Sequence, residues 1–189
     1  MKTLLKFALA SAIASALAGW SVYAVVHRRS PAIHRGPWMA SLAAGSAHGG
    51  LYERAWIATH RLWALDASEV IYYLAKTDST GRRLSNTASY RIEGTDLDTR
   101  WWSLAAYKDG RLISNELNRY AVTQTTVERE PDGRWVILLS PIPHETNWLP
   151  SGEQLGDLML VLRCYNPSPL LTADPAAASL PTIVREVDE

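Results

Sequence analysis

Two short runs of this chain set polar groups beside large rings. Asn118-Arg119-Tyr120 places a guanidinium between an amide and a phenol. A planar fork of donors in that company can grip a carboxylate, a phosphate or a sugar; equally, Asn118 can set a turn while Arg119 satisfies loop carbonyls. The stretch HETNWLPSG, residues 144–152, holds Trp148 between Asn147 and Leu149-Pro150, in a segment too interrupted by proline to read as a helix or an ordinary strand. Trp148 can stack on a sugar-like face, or it can close over a core. Arg163, in the run LVLRCYNPSP, completes the set of ligand-contact candidates.

Other chemistry is hard to find. The sequence has no G-x-S-x-G elbow, no H-E-x-x-H and no phosphate-cradling glycine loop. Its histidines stand at 27, 34, 48, 60 and 144, without ligand spacing on one element, so neither a metal nor a cofactor is expected. His144-Glu145 forms a general acid/base pair only if the fold delivers a partner, and is otherwise a solvated polar pair. Glu128, Glu130 and Asp132 cluster beside a turn, the usual setting of a solvated rim. The single cysteine, Cys164, excludes an intrachain disulfide and a cysteine zinc site, and its apolar surroundings predict a buried, inert thiol. Lys plus Arg and Asp plus Glu balance at 19 each, which leaves no basic field for nucleic acid.

The elements that must carry these residues begin with an apolar N-terminus. Phe7 to Val26 are uncharged and are closed by His27-Arg28-Arg29. At about 1.5 Å per helical residue the run matches one hydrocarbon thickness, and Trp20 and Tyr23 lie near its far end, where amphipathic rings favour the headgroup boundary. Residues 1–29 are thus expected to be an uncleaved transmembrane anchor, contacting the membrane through residues 7–26. A cleaved signal peptide is the competing reading, since Ala16-Leu17-Ala18 has the small-x-small form. Flanking charge is balanced and does not orient the segment, but both readings place the bulk of the chain outside the cytoplasm. Together these point to a single-pass membrane protein with its soluble domain outside the cytoplasm.

Residues 30–50 read as a linker, extended over SPAIHRGP by prolines at both ends. Ala55, Ala58, Leu62 and Leu65 recur at helical spacing beside Trp56 and Trp63, so residues 51–66 predict an amphipathic helix. From Glu69 the period becomes two. EVIYYLAKTD, ASYRIEG, WWSLAAY, YAVTQTTVERE, GRWVILLS, LGDLMLVLRCY and TIVREV are candidate strands, with hairpin turns at Lys108-Asp109-Gly110 and Pro131-Asp132-Gly133. Short strands separated by tight turns predict an antiparallel sandwich or barrel, placed with its helix in residues 51–189.

RWWSLAAYKDGRLI, NELNRY, PDGRWVILL, NWLP and LVLRCYNPSP follow one another in order, and together they resemble the bacterial family called domain of unknown function 1214. The preceding GSAHGGLYERAWIATHRLWAL is similar to the region ahead of that domain in its short, membrane-anchored members. The resemblance implies a mainly β fold with an N-terminal helix, a jelly-roll-like antiparallel β-sandwich behind a single transmembrane helix. It also implies a companion protein, domain of unknown function 1254. By its place in the family pattern, the loop carrying Trp148 would fold back over one end of the sandwich. Trp148 would then close the core while Asn147 ties down backbone groups. Two departures touch that loop: Ala121 follows NRY where the family usually has serine, and SGEQLGDL follows NWLP where a proline-glycine-phenylalanine segment is usual. The expected function is a binding or assembly module of the cell envelope, for a partner protein or a glycan- or lipid-like ligand. The alternative is a hydrolase-like enzyme completed by the companion. A cleft of titratable groups with displaced protonation would favour the enzyme, an apolar patch the module.

Overall fold

The period-two runs become strands that sort into two sheets, in a computed structural model that describes residues 2–26, 33–40, 65–152 and 155–186. The larger sheet is built on its two longest strands, β5 (Thr99–Lys108) and β10 (Leu158–Pro167), paired antiparallel. β3 (Val70–Ala75) lies on the other edge of β10, and β2 (Trp38–Ala40) and β1 (Ile33–Arg35) extend the sheet beyond it. β6 (Arg111–Leu112) and β7 (Val122–Thr123) both pair with β5. The smaller sheet runs β11 (Thr182–Arg185), β4 (Tyr90–Gly94), β8 (Trp135–Ser140), β9 (Trp148–Pro150). Its pairs are antiparallel except β8 with β9, which are parallel. The mainly β expectation therefore holds, with a mixed rather than purely antiparallel second sheet.

A shared core joins the sheets. Alternate residues of β10 (Leu158, Leu160, Leu162, Cys164) and of β8 (Trp135, Ile137, Leu139) belong to one buried cluster. Across the sheets, Trp102 of β5 packs against Trp135 of β8, with ring centroids 5.0 Å apart. Two more bonds cross the interior: Trp38 donates its indole N–H to the Pro181 carbonyl at 2.7 Å, and Tyr73 its hydroxyl to that of Pro175 at 2.9 Å. Each large apolar side chain so buried contributes about 1.5–3 kcal/mol. Burial also pushes the Cys164 thiol up to about 12, which makes it the inert thiol its surroundings predict.

Helix α1 (Lys2–Val26) covers the apolar run, and Thr3–Ala24 is long and apolar enough to cross a membrane, or to serve as a signal sequence. The helix expected over 51–66 lies outside the described residues except for Leu65 and Asp66. Within the stretch read as a linker, residues 33–40 instead form the β1–β2 hairpin. Gly36, at φ 56°, makes the turn, and the buried Trp38 holds the hairpin to the sheet. The turn at Asp109-Gly110 is a hairpin, with both residues at positive φ, as two-residue connections of this kind demand. The turn at Pro131-Asp132-Gly133 departs from expectation. The strand leading into it shrinks to β7, which pairs with β5, while β8 after it pairs with β4, so the turn passes the chain between sheets.

Two close fits set the tryptophan pair. Gly94 lies opposite Trp135 in the ladder, and a Cβ there would stand 2.8 Å from the Trp135 ring. Asp96 accepts the Trp102 indole N–H at 2.9 Å and a forked pair of bonds from Arg129. Partial burial raises the Asp96 carboxyl, but the bonds from Arg129 and Trp102 outweigh it and hold the group below the usual carboxylate range. Gly94→Ala is expected to destabilise the domain by about 1–3 kcal/mol through overpacking, measured by thermal or urea unfolding. Asp96 is depressed on folding, so its contribution is present above about pH 4 and fades as pH falls through its folded value. Asp96→Asn should accordingly lower stability at pH 7 and flatten the stability–pH curve below pH 4 relative to wild type.

Candidate functional site

Both polar motifs lie in loops at strand ends, where left-handed asparagines bend the backbone: Asn118 has φ 50° and Asn147 φ 45°. Asparagine tolerates this region better than most residues because its short amide bonds locally. The first loop is organised by Asn115, which accepts from the Arg119 N–H at 3.0 Å and donates to the carbonyls of Arg119 (2.9 Å) and Ile113 (3.2 Å). Asn115 was not among the candidates; its signal is the spacing to Asn118-Arg119, an amide set to close a turn. The Tyr120 hydroxyl donates to the Asn118 side chain at 3.3 Å.

Arg119 joins the two loops. Its guanidinium donates to the carbonyls of His144 (3.1 Å) and Glu145 (2.9 Å). Two of its five N–H donors are thereby turned on backbone oxygens. Asn147 is occupied in the same way. It accepts from the Glu128 N–H at 2.8 Å and donates to the carbonyls of Glu128 (2.8 Å) and Val136 (2.9 Å). The side chain thus stands in for ladder bonds that the tight turn into β9 cannot supply.

Trp148 opens β9, a three-residue edge strand rather than the irregular loop its prolines imply. Pro150 is tolerated because β9 ends there, at the margin of the sheet. Trp148 is 1% exposed, and its indole N–H donates to the Ser140 carbonyl and hydroxyl at 3.1 and 3.2 Å. Its neighbour Leu149 joins the shared core; Trp148, by strand alternation, is buried on the opposite face of the small sheet. It closes that outer side rather than the space between the sheets, and no part of its ring is available to stack on a ligand.

Arg163 stands apart from both loops. On the outer face of β10 it donates to the Tyr107 hydroxyl at 2.7 Å, with its guanidinium 5.5 Å from the Tyr107 ring centre. His144 and Glu145 are exposed, and among the described residues no cluster of three or more His, Cys, Asp or Glu is placed to hold a metal. The acidic residues at the 131–133 turn are a rim: Arg134 pairs with Glu130 at 3.0 Å and Asp132 at 2.6 Å, and the Arg134 bonds hold the Asp132 carboxyl below its ordinary range. The loop end also presents apolar groups among its polar ones: Leu117 is 51% and Ile142 68% exposed, with Tyr120 open on the same loops that Arg119 ties together and Leu112 open in β6. Trp148→Ala is expected to lose about 3–5 kcal/mol of stability, the range for emptying a buried aromatic site, by chemical unfolding. Arg119→Ala should instead cost only about 0.5–1.5 kcal/mol, because water can replace the donor at these exposed carbonyls, but should speed proteolysis within residues 141–147.

The family model described as "Protein of unknown function (DUF1214)" matches residues 69–169, a span that includes both motifs and Arg163. Among solved structures, the VPA0106 protein from Vibrio parahaemolyticus is similar in fold, with TM-score 0.60 and 19% identity over 74% of this chain and 36% of that chain. A putative uncharacterized protein from Burkholderia cenocepacia gives TM-score 0.41 and 19% identity over 62% of this chain and 29% of that one. This chain therefore spans only a minor part of those longer proteins. No curated protein matches the sequence. The family match runs from the entry to β3 through the whole of β10, more than half of the chain, and on that match the chain belongs to the DUF1214 family of proteins of unknown function.

Proposed function

We propose that this protein is a membrane-tethered module of the bacterial cell envelope whose loop end docks a partner protein. One observation carries the reading. Leu117, Tyr120 and Ile142 are exposed on two loops that a forked arginine holds in place, with Leu112 exposed in β6, while the Asn147 amide and two Arg119 donors are bonded to backbone. Aliphatic side chains on a fixed frame suit a protein surface, since burying them needs no ordering of the loops beforehand. A glycan site would need free hydrogen-bonding groups beside an open ring, and a hydrolase a collection of titratable groups with displaced protonation. Of the displaced groups here, Tyr73 and Cys164 are core neighbours raised chiefly by burial, while Asp78 and Asp96 sit in separate loops, each lowered by hydrogen bonds that outweigh its burial.

The tether also supports a partner in trans. α1 would tether the domain to the inner membrane, with the β domain on the periplasmic side, so encounter is confined to a surface. The companion domain of unknown function 1254 implied by the family resemblance is the first candidate.

Full-length protein, co-expressed with that companion and extracted in mild detergent, should co-purify with it. The double substitution Leu117→Glu/Ile142→Glu should weaken the complex at least about tenfold, the scale of losing one buried anchor, while leaving unfolding within about 0.5 kcal/mol of wild type. Protease access in spheroplasts and the mass of the mature N-terminus test the tether. A complex indifferent to both substitutions, or a mature chain beginning at Gly19, would remove this reading.

A further inference from the structure

The chain that follows β10 carries little charge for a surface segment. Residues 168–181 read SPLLTADPAAASLP and hold one charged residue, Asp174, whose carboxylate accepts the Ala176 N–H at 3.1 Å. They form a short helix, α2 (Pro169–Ala173), capped by Ser168, and a 3-10 turn (Pro175–Ala177). Leu171 and Pro175 are buried, and the Pro175 carbonyl accepts the Tyr73 hydroxyl, so the segment is fixed to the core. Pro169, Leu170, Ala173 and Ala177 are left outside, with Leu170 79% exposed. A leucine held open on a rigid support gives up little conformational freedom when an apolar phase takes it up.

The path of the chain from α1 indicates which phase. The 3-10 turn packs beside β1, the strand at one edge of the larger sheet. Ile33, the first residue of β1, is seven residues beyond Val26, the last of α1. Seven residues reach at most about 25 Å even when fully extended. With Thr3–Ala24 in a bilayer, β1 and the strip beside it are held within that distance of the surface from which α1 emerges. The loop end is farther off. Leu112 lies on β6, at the opposite edge of the same sheet, five strand spacings or about 24 Å away.

We propose that the strip Pro169–Ala177 is a lipid contact, with Leu170 seated in the headgroup boundary beside the point where α1 leaves the membrane. The domain then rests on the bilayer by its β1 corner, and its loop end faces solution. The partner is accordingly met through a soluble portion of its chain rather than through a membrane span. Such a contact needs little affinity of its own, because α1 supplies the local concentration. This inference rests on α1 being a membrane tether, as proposed above, and not on the identity of the partner.

Fluorescence quenching of the full-length protein in vesicles of phosphatidylethanolamine and phosphatidylglycerol tests this. Cys164 is buried, so an environment-sensitive maleimide reports only the thiol introduced by Leu170→Cys, Ala177→Cys or, for comparison, Leu112→Cys. Nitroxide carried on the lipid chains should quench the probe at position 170 at least about threefold more than the probe at 112, and aqueous iodide the reverse. Because the probe is itself apolar, a second arm keeps the native leucine. Lipid quenching at 177 should fall at least about threefold when Leu170→Glu is added, since a charge at the boundary opposes insertion. A protein that does not float with the vesicles after carbonate washing lacks the tether, and that outcome removes this proposal together with the reading it rests on. Flotation with equal lipid quenching at 170 and 112, or quenching at 177 indifferent to Leu170→Glu, overturns this proposal alone. So does shielding of 170 from both quenchers, which would assign the strip to a protein contact.

Discussion

The parallel pairing of β8 with β9 is the constraint from which the loop end follows. Parallel neighbours ordinarily require a crossover of a dozen or more residues, usually a helix. Here residues 141–147 alone carry the chain from the end of β8 back to its middle, so that Trp148 stands beside Leu138. A connection this short cannot satisfy its own backbone. The shortfall is met from outside: Arg119 takes two of its carbonyls, and Asn147, bent to positive φ, links Glu128 and Val136 through its amide. The ladder then closes through Leu138 N–H to the Asn147 carbonyl at 2.7 Å and Ser151 N–H to that of Ser140 at 3.1 Å. Most of these bonds lie at the surface, so each contributes only about 0.5–1.5 kcal/mol, and together they fix the course of the connection.

Local pattern made most of this fold legible. β5 and β10 announce themselves by alternation, and the Asp109-Gly110 turn by its residue types, because period and turn chemistry are properties of adjacent residues. The β1–β2 hairpin was hidden because Pro31 and Pro37 mask a three-residue strand whose stability comes from Trp38 reaching Pro181, far along the chain. β7 was overestimated for the converse reason. YAVTQTTVERE has strand propensity throughout, but Thr123 and Thr126 bond to each other and curl the backbone after two residues.

The candidate residues themselves were readable, and their roles less so. Asn118, Arg119 and Asn147 are rich in hydrogen-bonding capacity, which a sequence shows; whether that capacity faces solvent or backbone is decided by a pairing that it does not show. The alternative in which Arg119 serves loop carbonyls and Asn147 ties down backbone is the one the geometry realises. Trp148 closes the outer side of the small sheet, because strand alternation gives the inner position to Leu149. With Arg119 and Asn147 bonded to backbone, the loop end is left with exposed aliphatic side chains among polar ones such as Glu116, His144 and Glu145.

The central claim is that the polar residues of the loop end hold the β8–β9 junction rather than a ligand, and amide hydrogen exchange in Asn147→Ala tests it most directly. Loss of the side-chain links, with alanine strained at positive φ, should release the Leu138 and Ser151 amides selectively. Their exchange should run at least about tenfold faster than in wild type, with the β5–β10 amides unchanged. Unaltered exchange at Leu138 and Ser151, together with loss of a bound ligand or partner, would contradict it.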